Sequence, residues 1–407
     1  MKTCTILYFL LLGVWTTIPP VVITWIAVED ILCGVLLSST VILISYSFVD
    51  MLSKCLSPSI VRRISFTSSF VFLTALLSGS VVLIVAVDDV RVRIAGVGLL
   101  GLSNGFNRIA CVRMLAYYEK AELPASAYQY GINFSTFLTS IGYMGLTTWL
   151  RVNPRIAIAS CIPICFFPLV VYALLDKSPL KDHLSTSQYQ PLEIDSTVEH
   201  SYKPTATSTS FSTQKLEFLF KVFPFVSYSF LSNVCLHLSI VAVLTTLTFP
   251  SSPFQPRDHF LYYRLLSDTG IWAGGASLLV SYLCPEWIDV LRIRKIWLLV
   301  LLNASHFLFF IFASWFRFLS NVIPVLVLCF AQGVMYGLSL IYSLVDAATL
   351  FPCPKDNGTA MGFVEVGLSL GRVAAGILGI VTEKHLREHC TYDLLLDQFC
   401  LARHKVC

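Results

Sequence analysis

Asn104, Asn107 and Arg108 fall at spacings of three and four inside Ile94–Leu115, a run that is otherwise largely apolar. On a helix those spacings put three side chains on one side. A guanidinium near the middle of a bilayer costs several kcal/mol unless it is paired or lines a wet cavity, so its presence there is by default a functional signal. Glu365, Ser369 and Arg372 follow the same logic in the last apolar run, at offsets of four and seven. Glu365 and Arg372 would stand about 10 Å apart along the helix axis, too far for a direct pair but suited to two ends of one groove. Glu365 could exchange a proton with a substrate or with Arg108, and Arg372 could hold an anionic group through its planar fork. A structural network that locks neighbouring helices would use the same residues, and both readings stand open.

Other polar residues inside apolar runs complete the candidate pathway. His237 and His306 titrate in a range relevant to an acidic organelle, although a lone histidine in a bundle is more often a packing residue. Gln332 joins the list, with Gly333 and Gly337 four residues apart beside it; that small-residue spacing favours close helix contact. Arg264 and Asp268, also four apart, would pair near the membrane interface. Chemistry of other kinds finds no residues to carry it. There is no Ser-His-Asp order, no helical His-Glu-x-x-His and no phosphate-cradling glycine loop. The thirteen cysteines show no metal-ligand spacing. The expectation is therefore no enzyme, no cofactor and no metal.

These residues need helices to position them, and composition supplies that class. The 407 residues are 56% hydrophobic and 13% charged, with mean hydropathy +0.75, which excludes an ordinary soluble domain. A spanning helix needs about 20 apolar residues, and the chain offers about eleven such runs: roughly 5–28, 31–52, 66–87, 94–115, 125–149, 155–175, 217–248, 260–283, 295–315, 321–345 and 358–381. In lipid the backbone must satisfy itself, so these runs are helices. The first is read as an uncleaved helix kinked at Pro19-Pro20. The net charge of +4 is too small to point to nucleic acid; the lipid bilayer and a small polar solute are the expected partners.

Lysines and arginines set the orientation. Lys54, Arg62 and Arg63 follow the second run, and Arg292, Arg294 and Lys295 follow the eighth. Both groups fall on one side if the runs alternate, which makes that side, and the amino terminus, cytosolic. The basic turns sit at matching places in two halves, separated by a long cytosolic link rich in Ser, Thr and Pro and expected to be disordered. The chain then divides into a six-helix bundle (1–175), the linker (176–216), a five-helix bundle (217–382) and a short polar tail (383–407). The fold class is an all-α polytopic membrane protein in a major-facilitator-like 6+5 arrangement.

Three smaller features complete the reading. Cys161 and Cys165 share a helix face, where packing is the simplest use. Cys390, Cys400 and Cys407 lie in the predicted lumenal tail, where a disulfide is permitted. The sequons at Asn133 and Asn303 are inside predicted helices; the one at Asn357 lies on a link that this topology makes cytosolic. In the linker, Tyr189-Gln190-Pro191-Leu192 presents a tyrosine and a bulky apolar residue three apart, the spacing of an extended segment bound by an adaptor protein.

From Leu10 to about His389 the segments resemble the battenin family, the Batten-disease lysosomal membrane proteins. The likeness is carried by Leu11-Leu12-Gly13 with Ile31-Leu32, by Ala116-Tyr117-Tyr118, and by Ile141-Gly142-Tyr143-Met144-Gly145-Leu146-Thr147. Tyr262-Tyr263-Arg264 through Trp272, and Ala360-Met361 through Leu378, extend it. The polar lining departs from the family pattern. Gly105-Phe106-Asn107-Arg108 stands where the family has Gly-x-Gly-Glu, exchanging an acid for a base. Gln332 replaces a glutamate, and Ser232-Asn233 with Leu236-His237 replaces an acidic-tyrosine and Asn-Gln pattern. The resemblance implies a lysosomal or late-endosomal transporter of small polar metabolites, either glycerophosphodiesters or basic amino acids, with a part in lysosomal homeostasis including pH. The alternative is a non-transporting scaffold or regulator of vesicle trafficking. If the tetrapeptide binds an adaptor, Tyr189→Ala with Leu192→Ala shifts the tagged protein toward the cell surface; unchanged localisation by microscopy removes that role.

Overall fold

In the computed structural model, the chain is described at residues 3–32, 38–61, 64–115, 117–118, 122–178, 180, 211–253, 255–284, 286, 293, 295–351, 354–395 and 399–400. Among these residues there is no strand, and eleven long helical passes follow one another. They are α1 (Thr3–Val21), α2 (Thr40–Val61), α3 (Phe66–Ala86), α4 (Val90–Leu115), α5 (Glu122–Met144) and α6 (Pro154–Leu174). After the linker come α7 (Phe211–Leu238), α8 (Pro256–Leu283), α9 (Ile296–Phe316), α10 (Ile323–Ala348) and α11 (Pro354–Glu388). Most of the linker, with Tyr189 and Leu192, lies outside the described residues, as do Arg62, Arg63, Arg292, Arg294 and Cys407.

Local chemistry accounts for the irregular passes. α1 contains Pro19 and Pro20, which remove backbone donors and distort the ladder. The helix continues as a π-turn, Val22–Ile26, which inserts an extra residue per turn and re-aims the buried Trp25. α6 starts with Pro154 at its first turn, capped by the Asn153 side chain accepting from the Arg155 N–H. It is then broken into Pro154–Ala159, Cys161–Ile164 and Phe167–Leu174, with Pro163 and Pro168 in the later pieces. Cys161 and Cys165 are buried free thiols within it.

Two boundaries differ from the sequence reading. The second pass begins at Thr40 and runs to Val61, about two and a half turns beyond the expected 31–52 at each end. Lys54, expected in the cytosolic turn after this run, is wholly buried inside the helix together with Asp50. Hydropathy ends a span at its first charges; here the charges are paired, so the helix carries them inward. The last pass likewise runs on past Val381 to Glu388 and into a π-turn, His389–Asp393. One of its charges is taken inside: Glu383 is buried and accepts from Ser38.

Eight of the passes are apolar and long enough to cross a membrane on length and composition. The remaining three, α4, α5 and α8, carry Asn104, Asn107 and Arg108, Gln129 and Asn133, and Arg264 and Asp268.

Glycines show how the two halves repeat. In the first half Gly13 of α1 faces the Tyr128 carbonyl and Gly131 of α5 faces the Leu10 carbonyl, while Gly101 and Gly105 of α4 face the Tyr46 and Asp50 carbonyls of α2. In the second half Gly367 and Gly371 of α11 lie against Val226 and Phe230 of α7, and Gly270 and Gly274 of α8 interlock with Gly333 and Gly337 of α10. The pairs α1–α5 and α2–α4 thus recur as α7–α11 and α8–α10. Helices approach this closely only where no Cβ intervenes. The halves meet along two seams, α2 against α11 and α5 against α8.

A Cβ on Gly333 would lie 2.1 Å from the Ser267 carbonyl oxygen, a backbone atom that cannot yield without moving the helix. Gly333→Ala is expected to lower stability by about 1–3 kcal/mol, read as a fall in the thermal midpoint of the detergent-solubilised protein. Gly79→Ala, where nothing lies within 4 Å, should leave the midpoint unchanged or raise it.

Candidate functional site

The α2–α11 seam is held by charge. Lys54 Nζ of α2 lies 2.8 Å from Glu365 Oε2 and donates at 2.9 Å to Ser369 Oγ, both on α11. Asp50, one turn before Lys54, is 3.3 Å from that ammonium and accepts from Arg372 Nη2 at 2.9 Å. Ser369 donates to Asp50 at 2.5 Å, and Asn104 of α4 donates to its other oxygen at 2.7 Å. Arg108 of α4 completes the group, 3.6 Å from Glu365 Oε1. The Asp50 and Lys54 side chains are 0% exposed. An isolated ion in such a place costs several kcal/mol, recovered only with close partners and filled hydrogen bonds. Three cations against two carboxylates leave one positive charge.

Part of this cluster reaches the wall of a cavity between the halves that opens to solvent. Asn104, Arg108, Glu365 and Arg372 line it from one part, and Gln129 and Asn133 of α5, Asn233 and His237 of α7, Arg264 of α8 and Tyr336 of α10 from others. Aromatic rings back the cations: Arg372 sits 5.8 Å from the centre of the Tyr46 ring, Arg108 5.9 Å from Tyr128 and Arg264 5.7 Å from Trp25. Trp25, re-aimed by the π-turn, also stacks on His237 at 4.3 Å.

Of the residues singled out from sequence, Asn104, Arg108, His237, Glu365 and Arg372 converge on this cavity. The separation of Glu365 from Arg372 is bridged by Ser369 and by Asp50. Asn107 and Gln332 are buried elsewhere. Asn107 accepts a weak hydrogen bond from Cys111 Sγ, and the Gln332 amide donates to Ser239 at 3.0 Å. His306 is bonded to the Leu302 carbonyl of its own helix. The pair Arg264–Asp268 is not interfacial: it is buried at 2.7 Å, with Ser140 of α5 donating to Asp268 across the second seam. Cys390 and Cys400 form a disulfide. Asn133 and Asn303 are buried, and Asn357 is engaged with the Phe351 backbone.

Asp50 and Lys54 are the residues that sequence reasoning missed. Their i,i+4 spacing with opposite signs was visible, but the run of basic residues after them drew Lys54 into the turn.

The sequence profile described as CLN3 protein matches residues 7–389. The chain is 24% identical to Protein BTN1 of Saccharomyces cerevisiae, over 95% of this chain and 96% of that one. It is 23% identical to Battenin of Canis lupus familiaris, over 84% and 76%. The resemblance to the battenin family is thereby borne out. Among solved structures, the chain is similar to an auto-inhibited POT family peptide transporter, with a TM-score of 0.61 and 11% identity over 97% of this chain and 92% of that one. That likeness concerns the fold, which is of the major-facilitator type.

The charge balance ranks the cluster's variants. Asp50→Asn leaves three cations facing Glu365 alone and should destabilise by about 3–5 kcal/mol. Lys54→Met leaves two cations facing two carboxylates and should cost less, and adding it to Asp50→Asn should restore part of the loss. Denaturation of the solubilised variants tests the order; equal losses would remove charge balance as its cause.

Proposed function

The chain belongs to the CLN3 protein family, and from that premise we propose that it is a membrane carrier for small anionic or zwitterionic phosphodiesters of the glycerophosphodiester kind. The observation that carries this reading is the single positive charge left over on the cavity wall between the halves. Such a wall attracts a monoanion and repels a basic amino acid, so of the two solute classes implied by the family the phosphodiester fits better. Substrate sites at the interface of two repeats serve alternating access, in which one half rocks against the other; the ion pairs lie on such an interface.

The carrier works in lysosomes or late endosomes, where hydrolysis of membrane lipid releases such diesters and where their clearance contributes to organelle homeostasis, pH included. Its lumenal tail is joined by the Cys390–Cys400 disulfide, in keeping with an oxidising compartment. An adaptor protein reading Tyr189 and Leu192 in the cytosolic linker directs it there. No feature favours the scaffold alternative over a carrier.

Arg108→Leu is the decisive variant. It leaves Lys54 and Arg372 facing Asp50 and Glu365, a balanced set, so the protein should remain folded and correctly sorted. Clearance of glycerophosphodiesters, followed by metabolite profiling of purified organelles with and without the variant, should be lost. Full clearance by a well-folded Arg108→Leu protein makes the residue structural.

A further inference from the structure

Resting on the carrier reading, the geometry points to Arg264 as the residue that receives the anionic group of the solute, with Arg108 and Arg372 setting the field around it. The three cavity arginines are not equally available. Arg372 is engaged with Asp50 at 2.9 Å and with Ser369 at 3.2 Å. Arg108 is drawn toward Glu365. Arg264 uses one terminal nitrogen, Nη2, on Asp268. Its Nε and Nη1 are buried without a hydrogen-bond partner among the described residues, two unfilled donors against the single one, Nε, of Arg372, and the side chain, only 3% exposed, lines the cavity.

Unfilled donors on a buried guanidinium are costly. An oxyanion that accepts from them regains that cost, and a charge-assisted hydrogen bond of this kind is stronger than a neutral one. The surroundings are prepared for such a group. His237, whose Nδ1 is also without a partner among the described residues, stacks on the same Trp25 that lies under Arg264. Tyr336 and His237 both lie within electrostatic reach of Arg264 and Arg372. Asp268 holds the guanidinium in place, and Ser140 holds Asp268. Since Ser140 belongs to α5 and Arg264 to α8, the receiving group is anchored on the second seam, opposite in sequence terms to the α2–α11 cluster. The ligand class is a small solute bearing one oxyanion, a phosphodiester or a carboxylate.

The test measures binding to the purified full-length protein in detergent by titration calorimetry, with three probes: glycerophosphoglycerol (a phosphodiester monoanion), gluconate (a carboxylate monoanion) and uncharged glycerol. Wild type should bind at least one anion and not glycerol; which anion binds distinguishes the two sources of the charge. Arg264→Gln should weaken that anion by about tenfold or more, the loss of one charge-assisted hydrogen bond. Should Arg264→Gln elute as an aggregate, Arg264→Lys, which keeps the charge but not the planar donors, decides by the same titration: it should bind more weakly than wild type. Undiminished anion binding by a monodisperse Arg264→Gln or Arg264→Lys overturns the assignment and leaves the carrier reading intact. Binding of glycerol as tight as that of the anions also overturns it, and binding of none of the three probes by wild type overturns both.

Discussion

Everything else in this molecule is arranged around a cluster of five charges that water does not reach freely. Asp50, Lys54, Arg108, Glu365 and Arg372 come from three helices and both halves. None of them would be tolerated singly at this depth. Together they are tolerated because every carboxylate oxygen but one has a hydrogen-bond donor, and that one, Glu365 Oε1, has Arg108 nearby. Ser369 and Asn104 fill the positions that the charges leave. The glycines of α4 are part of the same arrangement. Gly105 brings α4 against the backbone at Asp50, and a larger residue would push Asn104 and Arg108 away from their partners.

Much of this is legible in the sequence alone. Eleven apolar runs became eleven helical passes, and the depth of Arg108 demanded a partner that Glu365 supplies. The Gly333–Gly337 spacing marked a real helix contact. What escaped did so for physical reasons. Charge is the signal by which a span is ended and oriented, so a span that buries its charges is read short; Lys54 was assigned to a turn on that ground. Arg264 and Asp268 stood eight residues or fewer from an apparent helix start, and proximity to an end reads as proximity to water. α8 begins earlier, at Pro256, and packs along α5, which takes the pair inside. Asn107 and Gln332 share a helix face with cavity residues, yet a face is broader than a cavity. Spacing alone cannot separate the side chain that enters it from the one beside it.

The departures from the family pattern acquire a meaning in this setting. An arginine in place of glutamate at position 108 would be ruinous next to another cation, but it approaches Glu365 while Lys54 is shared with Asp50. Gln332, where the family has a glutamate, is bonded to Ser239 within its own half and adds no charge to the cavity. Of the two positions, only Arg108 lines the cavity.

α11 is 35 residues long, about 52 Å at 1.5 Å per residue, against a hydrocarbon thickness of about 30 Å. It therefore reaches well past the bilayer core, and the projecting end is strapped down. Cys390 is bonded to Cys400, Arg317 at the α9–α10 turn donates to the carbonyls of Thr246, Thr248 and Phe399, and His389 stacks on Trp315 at 3.9 Å. A shaft gripped near its middle and strapped at one end behaves as a lever. A tilt at Glu365 or Arg372 would therefore be carried along the shaft to the turn at Arg317, which bonds to Cys390 at its far end.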